Sequence, residues 1–74
     1  MTKFDVISPD GLPINPSNYA SEAKARTAFK KWAKRFEMQG YYSSNAGRIE
    51  LDDLQSNCKL VLTERGRRID SRQL

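Results

Sequence analysis

The sequence contains no histidine and only one cysteine, Cys58. Without histidine, the commonest general base and metal ligand is missing. A lone cysteine cannot close an intramolecular disulfide, pair with histidine as a nucleophile, or complete a zinc site of recognised spacing. Cys58 stands in the apolar run NCKLVL, where a free thiol behaves as a small hydrophobe, and it is read as buried and structural. No apolar stretch approaches the ~20 residues of a membrane span. The segment MTKFDVISPDG lacks the long apolar region of a signal peptide, so the expectation is a cytoplasmic chain with a reduced thiol. Glycine is scarce: Gly11, Gly40, Gly47 and Gly66 are each isolated at turn positions, and none builds a phosphate loop. Glu50, Asp52 and Asp53 cluster in sequence, but such close neighbours do not converge on one point. They are read as capping or solvated groups, not as acid–base or cation-binding groups. These absences predict a protein that is not an enzyme, with no cofactor and no metal.

What is present is charge. Of the 74 residues 30% are charged, the formal net charge is +4 and the isoelectric point is near 9.5. One domain fits that length, and the balance favours an anionic partner.

Along the chain, Lys3 to Ser8 alternates as a strand does. Ser8-Pro9-Asp10-Gly11 carries the residues of a tight turn, so a hairpin over 3–15 is predicted, returning through Leu12 to Asn15. Pro13 confines that return strand to a sheet edge, and Pro16, Ser17 and Asn18 end it. Ser21 is a candidate N-cap, Glu22 faces the positive end of the helix dipole, and Gly40 is a candidate C-cap. Between them Ala25, Ala28, Phe29, Trp32, Ala33 and Phe36 fall within roughly 80° of one direction, the stripe of a core-facing helix over about 21–39. Tyr41 to Ser44 reads as extended and Asn45-Ala46-Gly47 as turn-like. Residues 41–57 as a whole are open between strand and short helix, with Asp52 and Asp53 favouring a helical turn near 52–57. Cys58 to Thr63 is a strand. The end, ERGRRIDSRQL, is read as a flexible basic tail over 64–74, outside a single domain at 1–63. The predicted fold class is α+β: a small antiparallel sheet of about three strands (hairpin 3–15 and strand 58–63), with the helix packed on one face. Phe29, Trp32 and Phe36 fill the space between the layers.

Taken together, FDVISPDGLPI, AFKKWAKRFEMQGYYSS and RIELDDLQSNCKLV resemble short uncharacterised bacterial proteins, of the sort found as stand-alone small reading frames or in mobile elements. The resemblance covers roughly residues 3–62 and leaves out the arginine-rich end. Such proteins come without an assigned activity, so the resemblance implies no function.

The functional signal is the segment KARTAFKKWAKRF, with six basic residues and no acidic one. Lys24, Arg26, Lys30, Lys31, Lys34 and Arg35 occupy the half of the helix opposite the aromatic stripe. The i, i+4 pairs Arg26/Lys30, Lys30/Lys34 and Lys31/Arg35 repel, costing the helix about 1 kcal/mol in all. Folding does not call for that penalty. Residues 36–63 carry two basic and four acidic side chains, so the surplus lies on the helix and in the tail, with Arg65, Arg67 and Arg68. A basic helix beside a basic arm suits phosphate backbones; a solvated face that keeps the protein soluble is the bland alternative. Tyr41 and Tyr42 are candidates for stacking on bases, against the alternative that one of them packs on the core. Trp32 is read as core. Two functions are therefore expected to compete. One is DNA or RNA binding through the helix face and tail. The other is an inhibitor or adaptor docking on an acidic protein surface, the chain being a monomer or a weak dimer.

Overall fold

The computed structural model describes residues 2–15 and 17–74. Pro16, expected to help end the return strand, lies outside the described residues. The protein is α+β. Strand β1 (Thr2–Ile7) leads through a loop to helix α1 (Glu22–Ala33). A hairpin follows, β2 (Tyr41–Ser44) and β3 (Gly47–Glu50), then the short helix α2 (Leu51–Leu54), β4 (Lys59–Glu64) and β5 (Arg67–Gln73). The main sheet is antiparallel with order β1-β4-β5, and β2-β3 form a second, two-stranded sheet.

The helix starts where the cap residue predicts. Ser21 is extended, and its hydroxyl accepts the Lys24 N–H at 3.2 Å. It ends sooner than expected. After Ala33 the chain tightens into a 3-10 turn over Lys34–Phe36, a common way to close the last turn of a helix. Gly40 then donates to the Phe36 carbonyl at 2.8 Å with φ +86, a left-handed conformation that costs glycine little.

The expected hairpin over 3–15 is not formed. The turn is there: Ser8 accepts the Gly11 N–H at 2.9 Å, and its hydroxyl accepts from Asp10 and Leu12. The return strand is reduced to one bridge, Ile7 with Pro13, made by two bonds: the Ser8 N–H donates to the Leu12 carbonyl at 2.7 Å and the Ile14 N–H to the Val6 carbonyl at 3.0 Å. Pro13 sits in a non-hydrogen-bonded pair, so its missing N–H faces away from β1 and costs this pairing nothing. Tyr19 takes up the pairing instead, exchanging two 2.8 Å bonds with Phe4. Part of the outer edge of β1 is thereby covered.

The third strand of the main sheet comes from the segment read as a flexible tail. Arg65 (φ 53) and Gly66 (φ 80) form a two-residue loop with both φ positive, the geometry that matches the twist of paired strands. Thr63 pairs with Arg68 and Leu62 with Asp70, so Ile69 is the extra residue of a bulge. Composition conceals this strand. Its positions beside Leu60 and Leu62 are Arg72 and Asp70, and charge takes the place of apolar packing. Arg72 meets Asp70 at 2.8 Å and Glu22 at 3.7 Å, while Glu22 also holds Arg26 at 3.1 Å. The network ties β5 to the first turn of α1. The hydrogen bond from Arg72, then the Ser71 N–H, hold the Asp70 carboxyl below its usual range.

Register sets the core. Phe4 opposes Leu62 and Val6 opposes Leu60, so one sheet face presents these side chains to Ala25 and Phe29 of α1. Leu54, Cys58 and Leu74 complete the buried cluster. Burial pushes the Cys58 thiol up to about 11, which leaves it an unreactive packing group. A second cluster joins α1 to β2: the Trp32 ring lies 5.0 Å from Phe36 and 5.3 Å from Tyr42, with Phe29 at 6.0 Å.

Asp10 locks the hairpin to the rest. Its carboxylate accepts the Tyr42 hydroxyl at 2.8 Å and the Asn45 N–H at 2.7 Å. Asp10→Ala is expected to lose about 1–2 kcal/mol in urea denaturation, through loss of two hydrogen bonds from the β2–β3 hairpin to a carboxylate. A loss below ~0.3 kcal/mol would show that the hairpin holds without this tie.

Candidate nucleic-acid interface

The segment carrying Ile14 and Tyr19 is drawn back along β1, and this leaves a groove between it and α1. The groove encloses about 560 Å³, within the roughly 300–1,000 Å³ of small-ligand sites. Ile14, Tyr19, Ala28 and Trp32 give it apolar and aromatic surface. Asn15 and Thr27 add neutral polar groups, and Lys24, Lys31 and Arg35 supply the charge. None of the residues lining it is acidic.

Helical spacing places the three cations. Residues 24, 28, 31 and 35 recur at i, i+4, i+7 and i+11, one narrow row beside Trp32. Along the axis Lys31 stands about 10 Å from Lys24 and Arg35 about 6 Å further on. Lys24, Lys31 and Arg35 are exposed, and none of them enters an ion pair among the described residues. Their like charges repel across water, so a bound anion would relieve them.

The basic half of the helix is thus not one surface. Lys30 and Lys34 are exposed but lie outside the groove. Arg26 pairs with Glu22 on its own helix and donates to the carbonyl of Leu74, just past β5, so its charge is already engaged. On the opposite flank of α1 a smaller depression of about 230 Å³ is lined by Phe29, Ala33 and Leu51 together with Glu37 and Asp52. The helix separates a cationic side from one that carries carboxylates.

The other expected site residues lie elsewhere. Arg65, Arg67 and Arg68 belong to the β4–β5 turn and the start of β5, not to a mobile arm. Arg68 pairs with Thr63, whose side chain alternates with the core-facing Leu62, so Arg68 shares the sheet face turned away from α1. Tyr42 is part of the ring cluster, and its hydroxyl is bonded to Asp10. Its phenol is raised above the usual range, first by burial and then by that bond. The Arg48 guanidinium lies 3.8 Å over the Tyr41 ring and covers that face. Tyr42 is thus engaged within the fold, while Tyr41 has one ring face covered. Trp32, read as core, is half-buried: it packs on Phe36 and Tyr42 and also borders the groove.

No protein family, curated protein or solved structure matches the chain. The chemistry of the groove has to be read from its own residues.

Sequence reasoning missed Tyr19, Ile14, Asn15 and Thr27 as site residues. One signal was available for Tyr19: an aromatic isolated in a loop of asparagine, serine and proline, just before a helix cap. Among the described residues no three carboxylate or thiol groups converge as a metal site. No helix among them is long and apolar enough to cross a membrane.

Proposed function

We propose that this chain is a small non-enzymatic module that binds nucleic acid through the groove beside α1. The observation that carries the reading is the row Lys24, Lys31 and Arg35, unneutralised and set around Trp32 in a lining without a carboxylate. Phosphates need only positive charge within reach, and an aromatic floor adds a surface on which bases can lie.

The test is equilibrium binding of fluorescent ~20-mer oligonucleotides between ~0.05 and ~0.2 M salt, where three phosphate contacts predict that log K falls against log salt with a slope of about −2 to −3. Absence of binding at the lowest salt overturns the reading. A second reading, docking on an acidic protein, is favoured by Leu12, which is 65% exposed in the same segment as Ile14. It predicts a stoichiometric protein complex that survives ~0.5 M salt, where screening removes most long-range attraction.

A further inference from the structure

Resting on the nucleic-acid reading, we infer that the occupant of the groove is a single strand, with one unpaired base inserted against Trp32 while flanking phosphates meet Lys24, Lys31 and Arg35. Three observations lead there.

The first is shape. A basic helix face that serves a duplex needs only a ridge of cations, because a duplex keeps its bases stacked inside and offers phosphates at its surface. Here the cations border a hollow of about 560 Å³. A phosphate backbone laid across it would leave Trp32 and Ile14 under water, with nothing gained from them. An unstacked base fills such a space and covers apolar surface on both partners.

The second is the placement of the aromatics. Tyr42 is taken up by the core, and Arg48 covers one face of Tyr41. Trp32 and Tyr19 are the rings that border the groove, one from the helix and one from the segment facing it. Trp32 is held by Phe36 at 5.0 Å and Tyr42 at 5.3 Å, so it meets a ligand as a fixed surface and loses little freedom on binding.

The third is polarity. Asn15 lines the groove; its side-chain oxygen accepts the Ser17 N–H at 2.9 Å, and its NH₂ group is left as a donor. A base edge or a phosphate oxygen of a strand lying in the groove can accept from that amide. Chain charge and stacking surface thus sit together, the combination that binds single strands with little sequence preference.

The experiment uses the intact chain and its own reporter, because Trp32 is the sole tryptophan. Oligo-dT and oligo-rU of ~12 nucleotides, an abasic strand of equal length and a ~12-bp duplex are titrated at ~0.05 M salt, following both anisotropy of the labelled strand and Trp32 emission. Both single strands, or one of them, quench Trp32 saturably, and the abasic strand binds about tenfold more weakly without quenching, the loss expected for one stacked base. The duplex binds without quenching. Equal affinity for abasic and base-bearing strands, with Trp32 emission unchanged, overturns base insertion and leaves phosphate binding standing. Failure of every strand to bind overturns both.

Discussion

Lys31→Glu with Arg35→Glu is expected to weaken oligonucleotide binding by about a hundredfold or more at ~0.05 M salt, and Lys30→Glu with Lys34→Glu by about tenfold or less. The two doubles are matched. Each reversal removes two units of charge, so either pair takes the net charge from +4 to zero. Each pair is spaced i, i+4 on α1 or the turn that continues it, and all four residues are exposed. A partner that felt only the overall field would respond equally to both. A partner seated in the groove responds to Lys31 and Arg35, because these two line it and Lys30 and Lys34 do not. Far-UV circular dichroism of both variants shows whether the fold is intact. The salt slope gives a second readout: losing two phosphate contacts flattens it by about 1.5–2 units. Equal losses in the two doubles would shift the contact to the whole helix face and end the case for the groove.

Leu60→Ala is expected to cost about 3 kcal/mol. Leu60 lies on the central strand, faces α1, and has 0% of its surface exposed. Val6 flanks it on β1, and the Ala25 and Phe29 side chains belong to the same buried cluster. Truncation removes its apolar burial and leaves a cavity that a sheet fixed on both sides cannot collapse around. In a domain this small, 3 kcal/mol corresponds to a fall in melting temperature of about 12–24 °C. Ile69→Ala serves as the contrast, since Ile69 is the exposed bulge residue and its truncation stays within about 0.5 kcal/mol. Thermal or urea unfolding of the pair checks both values. A Leu60→Ala loss under ~1 kcal/mol would contradict the packing of α1 on the β1–β4 face.

The elements that sequence reasoning placed correctly are those in which local pattern and tertiary role agree. The α1 stripe, the Ser21 cap and the β4 alternation each combine a local signal with burial of the same residues. The turn at Ser8 to Gly11 was legible for the same reason, because its hydrogen bonds lie within five residues. The errors lie where distant residues decide. Leu12 to Asn15 looks like a return strand until Tyr19 is seen to hold the β1 edge that such a strand would need. Arg67 to Gln73 looks like a tail until Glu22 supplies the carboxylate that seats Arg72 beside the helix.

The site divides in the same way. Six cations on one helix half were visible in the sequence, as was their separation from the aromatic stripe, because both follow from 100° per residue alone. What each cation faces is not a property of the helix. Arg26 is committed because β5 runs past it, and Lys31 and Arg35 border a hollow because the backbone of Tyr19 pairs with Phe4 and brings its ring to α1. Periodicity assigned the polar and apolar halves of the helix. Only the path of the chain around it, set by long-range hydrogen bonds and ion pairs, decided which part of the polar half became a groove.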